Sequence, residues 1–212
     1  MRFDVVIVGA GIGGAVLALD LGSRGWRVAV VERESAPPRI ARPEVIWGAT
    51  VRALERYGLA EAIRNTASVQ LEGIEIGGEK PWLRITRDDF AAAGVDAFST
   101  NPLMTRTIIA SAAAAGNVKI YLGVAVEDLL HDDGRVTGVL GKRGDATLTL
   151  EARLVVGDDG DRSVVRRHLG IPITLDLIPI EFVTAMITRW PLPPHRVRSW
   201  IHPKGFGDSL SA

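Results

Sequence analysis

Short apolar runs alternate with helix-length stretches along the start of the chain. Val5-Val6-Ile7-Val8 is apolar throughout and largely β-branched, the pattern of a strand buried on both faces of a parallel sheet. Ala15 to Leu21 is helix-forming, and Gly22 and Gly25 close it. Arg27 to Val31 returns as a second strand that ends at Glu32. Thr50 to Tyr57 has helical periodicity, with Val51, Leu54 and Tyr57 on one face and Arg52, Glu55 and Arg56 on the other. Gly58 stops that helix, and Leu59 to Asn65 is a second, shorter one.

The period then changes. Val69 to Ile76 alternates as a strand does, Gly77-Gly78 turns, and Trp82 to Ile85 returns. Asp88 to Ser99 reads as irregular. Thr105 to Ala115 is an alanine-rich helix ended by Gly116-Asn117, and Val118 to Leu122 is a strand. Ala125 to Leu130, Val136 to Gly141 and Ala146 to Leu150 form a β-meander, with turns at 131–134 and 142–145. Leu154-Val155-Val156 is a further short buried strand, and Ser163 caps a helix that runs to His168. Beyond Pro172, Ile178 to Thr188 is strand-like and Arg196 to Ile201 alternates, whereas 205–212 carries no cap and no closing element. The pattern therefore predicts an α/β fold. A Rossmann-like domain, a mostly parallel sheet with a β-meander, takes residues 1–69 and 102–171. An incomplete β-sheet domain takes 70–101 and 172–212.

Composition narrows the class. Twenty-five basic residues balance twenty-five acidic ones among 212, so nothing points to nucleic acid or another polyanion. Cysteine is absent, which excludes disulfides, thiolate metal sites and a cysteine-linked flavin. The early apolar run contains Asp4 and is too short for a signal peptide or membrane span. A soluble, cytoplasmic protein is expected.

The glycines carry the chemistry. Gly9, Gly11 and Gly14 keep the G-x-G-x-x-G spacing between the first strand and its helix. Gly9 permits the tight turn, Gly11 lets backbone approach a pyrophosphate, and Gly14 lets helix and sheet pack closely. The helix start offers free N–H groups and a positive dipole end to the anion. Glu32 lies where a carboxylate accepts ribose hydroxyls. It favours FAD or NAD over NADP, although the adjacent Arg33 suits a 2′-phosphate. The loop 35–43 carries Arg39 and Arg42 and is either a solvated connection or a reach toward a phosphate or a flavin. A second turn, Gly157-Asp158-Asp159-Gly160-Asp161-Arg162-Ser163, follows the strand at 154–156. It lies at the carboxyl edge of the sheet, where such folds bind ligands. Asp159 is either a ligand contact there or a helix cap. Its three carboxylates lack histidine or further oxygen ligands nearby, so no metal site is expected. His131 reads as solvated and His168 as helix surface or a dipole partner. No serine–histidine–acid set can be argued from spacing. Trp47, Trp82, Trp190 and Trp200 suit core packing or, as the alternative, the lining of an aromatic pocket.

These two turns, in this order, resemble the signatures of the FAD-dependent aromatic-ring hydroxylases, the single-component flavoprotein monooxygenases that include p-hydroxybenzoate hydroxylase. Arg106 in Met104-Thr105-Arg106-Thr107 resembles that family's helix arginine near the flavin. Val124-Ala125-Val126 resembles the strand whose backbone meets adenine. The resemblance covers residues 3 to about 171. It implies cofactor contacts at Gly9, Gly11, Ile12, Gly13, Gly14, Glu32, Arg33, Arg106, Val126, Asp159 and Gly160, and a role for Arg166 with the nicotinamide donor. Asp158 departs from the small residue the family usually has. The resemblance further implies FAD as cofactor, NADH or NADPH as electron donor, O2 as oxidant and a small, aromatic or polyketide-like substrate. No catalytic side chain is singled out, because the flavin carries the chemistry. The family's third signature, a Gly-Asp turn at a helix start, has no counterpart here, since Gly207-Asp208 lacks the strand and helix around it. The chain therefore reads as the N-terminal part of such an enzyme or a shortened relative. The alternatives are a flavin-dependent reductase of the same fold and a truncated, non-catalytic dinucleotide-binding chain.

Overall fold

The computed structural model describes residues 2–36, 44–66, 69–100, 103–176, 195–202 and 205–211. In chain order the elements are β1 (Arg2–Val8), α1 (Ile12–Ser23), β2 (Val28–Glu32), β3 (Glu44–Trp47), α2 (Gly48–Glu55), α3 (Ala60–Thr66), β4 (Val69–Gln70), β5 (Gly73–Gly77), β6 (Pro81–Thr86), α4 (Arg87–Ala92) and β7 (Ala97–Thr100). They continue with α5 (Leu103–Ala114), β8 (Val118–Leu122), β9 (Ala125–Asp132), β10 (Arg135–Arg143), β11 (Ala146–Gly157), α6 (Val164–His168), β12 (Arg196–His202) and β13 (Gly205–Ser211). Two compact units result: Met1–Arg39 with Thr105–Pro179, and Ile40–Met104 with Ile180–Ala212. The second unit starts earlier than the expected boundary at residue 70, because β3 and β4 both pair with β7.

The first unit is built on a six-stranded sheet in the order β8-β2-β1-β11-β10-β9. The strands β8, β2, β1 and β11 run parallel, and β10 and β9 continue antiparallel as the meander. Val6, Ile7, Val28 and Val30 are fully buried, which is why these strands are apolar on both faces. Each such side chain stabilises the fold by about 1.5–3 kcal/mol. The expected strands at 146–150 and 154–156 are one element. Glu151 pairs with Gly138 on one side and with Arg2 on the other. There β11 passes from an antiparallel partner to a parallel one without breaking. The β9–β10 turn is tighter than expected: only Asp133 and Gly134, both at positive φ, lie between the paired residues Asp132 and Arg135. A two-residue loop of this type matches the twist of the strands. His131 consequently sits within β9, its Nδ1 3.1 Å from the Leu129 carbonyl. Asn117 donates from Nδ2 to the carbonyls of Gly22 (3.0 Å) and Trp26 (2.9 Å). It thereby ties the turn before β8 to the end of α1.

The second unit has a four-stranded sheet, β13-β12-β5-β6, and a three-stranded one, β3-β7-β4. The alternating run at 69–76 is split between them by Leu71-Glu72: the Leu71 N–H goes to the Ala97 carbonyl and the Glu72 N–H to that of His195. Residues 88–99 are not irregular. Thr86 and Asp89 form a reciprocal capping box that starts α4, and β7 follows. Residues 205–211 also form an element. β13 pairs antiparallel with β12 along its whole length, with Asp208 opposite Ser199, so Gly207-Asp208 is strand and not a turn. Leu71, Ile74, Phe90 and Ala97 are the buried core here. Trp47 and Trp82 are not core: they are 52% and 68% exposed, respectively. Another residue of the same strand turns inward instead, Ile46 next to Trp47 and Ile85 three positions after Trp82. Trp200 is half-buried with the Arg198 guanidinium over its ring. The strand-like run at 178–188 and Trp190 lie outside the described residues, as does most of the loop 35–43.

Candidate dinucleotide-binding site

The site is built where β1, β2 and β11 end side by side. Val8 pairs with Val31 on one flank and Gly157 on the other. The chain then turns into α1 between them. The N–H of Gly9 donates to the Val31 carbonyl and that of Asp158 to the Val8 carbonyl, each at 2.8 Å. The carboxyl ends of these strands form the kind of edge at which open parallel sheets bind ligands.

Two of the three glycines are required by the protein itself. Gly9 has φ 103°, a conformation other residues adopt only at a cost. A Cβ there, or at Gly14, would collide with backbone, that of Asp158 in the first case and that of Gly9 in the second. Gly11 differs: among the described residues, a Cβ built on it would meet within 4 Å only the Asp158 Oδ2, at 3.9 Å. Its missing side chain leaves room above the helix start. Of the first N–H groups of α1, Ala15 donates to the Gly11 carbonyl and Gly14 to Asp158. Among the described residues those of Ile12 and Gly13 have no hydrogen-bond partner, as the first turn of a helix offers none within the helix.

Glu32 ends β2 half-buried. Its Oε2 accepts the Ala10 N–H and its Oε1 the Glu34 N–H, both at 2.8 Å. A carboxylate has about four acceptor positions, so each oxygen retains one for a hydroxyl. The Glu32 carbonyl accepts the Val124 N–H at 2.9 Å, which brings the entry to β9 beside this acid. Val126 itself is buried in the core, and its backbone pairs with Gly141. The open Gly11 surface, the two free N–H groups and the acid at the end of β2 together fit an adenine dinucleotide such as FAD.

The other expected residues stand differently. Arg33 is exposed, its Nε 3.4 Å from Glu34. Arg106 is exposed on α5, and no hydrogen bond or ion pair joins it to the glycine turn among the described residues. Asp159 accepts from the Ser163 hydroxyl and from the N–H groups of Val164 and Val165. Its carboxylate fastens the start of α6, next to the Gly160 turn. Arg166 donates to the Asp161 carbonyl. His168, at the end of α6, lies 3.0 Å from the Asp128 carboxylate. The neighbouring Asp158 is the residue that enters the glycine turn, with its Oδ2 2.6 Å from the Gly14 nitrogen. In the sequence Asp158 stands out only as a departure from the family's small residue. Its partner lies 144 residues away, beyond any local signal. Among the described residues no group of three or more His, Cys, Asp or Glu is placed to hold a metal ion, and no helix is long and apolar enough to cross a membrane.

A strand, glycine turn, helix, strand and terminal acid arranged in this way define a dinucleotide-binding fold. Residues 2–207 match the FAD binding domain family, and the chain belongs to it. It is 34% identical over 170 residues to rifampicin monooxygenase of Streptomyces venezuelae, covering 80% of this chain and 34% of that protein. It is 30% identical over 190 residues to digeranylgeranylglycerophospholipid reductase of Methanothrix thermoacetophila, covering 85% of this chain and 45% of that protein. The chain thus spans a third to a half of the length of these relatives. Among solved structures, PqsL of P. aeruginosa in complex with 2-aminobenzoylacetate is similar, with a TM-score of 0.74 and 25% identity. That match covers 94% of this chain and 54% of that one.

Proposed function

We propose that the chain serves an FAD-dependent monooxygenase that uses NADH or NADPH and O2 to hydroxylate a small aromatic or polyketide-like molecule. The observation that carries this reading is the family match together with the open turn at Gly11 and the acid at Glu32. In this reading the Ile12 and Gly13 N–H groups hold the pyrophosphate, Gly11 admits it, and Glu32 takes the ribose hydroxyls. Val126 and its strand entry flank the adenine. Arg33 and Arg106 serve phosphate or flavin. Asp159 and Gly160 shape the second wall, with Asp159 acting through the start of α6. The first unit is assigned to the cofactor and the second to the substrate. Bound FAD supplies the redox chemistry, while the chain binds and orients it and excludes water. A cysteine-free chain using a nicotinamide donor suits the cytoplasm. Purification with FAD tests this directly. A flavin absorption band and substrate-stimulated, O2-dependent NAD(P)H oxidation are expected. A colourless protein that FAD does not reconstitute contradicts the reading.

The likeness to the digeranylgeranylglycerophospholipid reductase supports a second reading, a flavin-dependent reductase. Product analysis with and without O2 separates the two. A hydroxylated product requires O2, whereas a reduced one forms anaerobically.

A further inference from the structure

The Asp158 carboxylate lies on the start of α1. Its Oδ2 accepts the Gly14 N–H at 2.6 Å. Its oxygens lie 3.0 and 3.1 Å from the position a Gly13 Cβ would take, and Oδ2 lies 3.9 Å from that of Gly11. The fold brings this residue to the turn, and the Gly14 N–H receives its side chain there. The Asp158 N–H is fixed to the Val8 carbonyl, so the residue begins immediately beside the turn. A carboxylate at a helix N-terminus satisfies a free donor and the dipole, which is what a phosphate does at the same place.

We propose that Asp158 is a built-in anion at the mouth of the dinucleotide cradle, and that its charge lowers the affinity of the cradle for the FAD pyrophosphate. This rests on the reading of the turn as the FAD site. A pyrophosphate received by the Ile12 and Gly13 N–H groups over Gly11 stands beside the Asp158 carboxylate. Like charges at such separations repel, with salt weakening the effect because Asp158 is exposed. The ligand either displaces the carboxylate from Gly14 or binds against its charge. Both routes weaken binding relative to a neutral residue. In the free protein the same carboxylate stabilises the helix start, so charge here trades affinity for stability of the empty cradle.

Asp158→Asn separates the two effects. The amide oxygen can still accept the Gly14 N–H, and only the charge is lost. Asp158→Ala removes both. FAD is titrated into the 212-residue chain and both variants by flavin fluorescence, at low and high salt, and the melting temperature of each FAD-free protein is recorded. The expected result is an FAD Kd about tenfold lower in D158N at low salt, with the gap closing as salt rises. D158A also binds more tightly, although its FAD-free form melts lower than that of D158N. A Kd in D158N equal to or higher than that of the unsubstituted chain overturns the proposal while leaving the FAD site intact. If none of the three proteins binds FAD, the reading of the turn falls, and the proposal falls with it.

Discussion

Glu32 Oε2 accepts the Ala10 N–H at 2.8 Å, so the acid that ends β2 fastens the turn that ends β1. The carboxylate holds the turn, and in the proposed reading it also meets a ribose. Glu32→Ala leaves the Ala10 N–H without that partner and costs roughly 1–3 kcal/mol of stability. Glu32→Gln keeps an acceptor and recovers most of it. Both variants should bind FAD more weakly, because a charged acceptor makes the stronger bond to a hydroxyl. Urea denaturation read beside flavin titration checks this. Equal affinity in all three proteins would remove Glu32 from the ligand.

The glycines divide by what each one faces. Gly14→Ala drives a methyl group into the Gly9 carbonyl, and Gly9→Ala does the same against Asp158 while also straining a backbone at φ 103°. Both should destabilise the FAD-free protein by several kcal/mol, or prevent folding. Gly11→Ala places its methyl group in open space and should melt within a few degrees of the unsubstituted protein. Its loss appears in FAD binding, since the methyl group occupies the approach to the helix start. Thermal melts of the three variants, followed by flavin titration of those that fold, distinguish a structural glycine from a ligand-facing one.

The first unit was legible because its signals are local. The β-branched run at Val5–Val8, the glycine spacing and Glu32 are read within one short stretch, and the structure keeps their order. What escaped the sequence is pairing at a distance. Nothing in Leu150-Glu151-Ala152 announces that one strand changes partner from antiparallel to parallel there, because apolar residues fall on every second position from Leu148 to Leu154 on both sides of it. Asp158 entering the turn depends on β11 lying beside β1. The α4 start, in contrast, is local, Thr86-Arg87-Asp88-Asp89, but no long apolar stripe follows it to mark a helix. The β13 strand lacks a strong pattern of its own and gains its form from β12.

The capping box at α4 offers a check on the second unit by itself. Thr86 Oγ1 is in hydrogen-bond contact with the Asp89 carboxylate and accepts the Asp89 N–H, while Asp89 accepts the Thr86 N–H at 2.7 Å. These bonds hold the Asp89 carboxyl below its ordinary range, the Thr86 side chain acting most strongly and its backbone N–H next. Thr86→Ala should cost about 1 kcal/mol and Thr86→Ser much less. Hydrogen exchange at the amides of 87–92 reads the effect locally. An unchanged exchange pattern in T86A would show that tertiary packing of Phe90 alone holds the helix.

Asp4 and Arg27 set an acid limit on the first unit. The Arg27 Nε and Nη2 bond the two Asp4 carboxylate oxygens at 3.1 and 3.0 Å, and the Arg27 N–H adds a third bond at 3.0 Å. The guanidinium bonds foremost, and then the backbone N–H, lower the Asp4 carboxyl to about 2. An unfolded aspartate titrates near about 3.9. The folded form therefore binds its proton later than the unfolded one as the pH falls. The stabilisation is complete above about pH 4 and disappears progressively between there and about pH 2. Asp4→Asn removes this dependence. Urea midpoints measured from pH 5 down to pH 2 should fall more steeply for the unsubstituted chain than for D4N, the two curves approaching each other at the acid end. Parallel curves across that interval would mean that the pair does not link folding to pH.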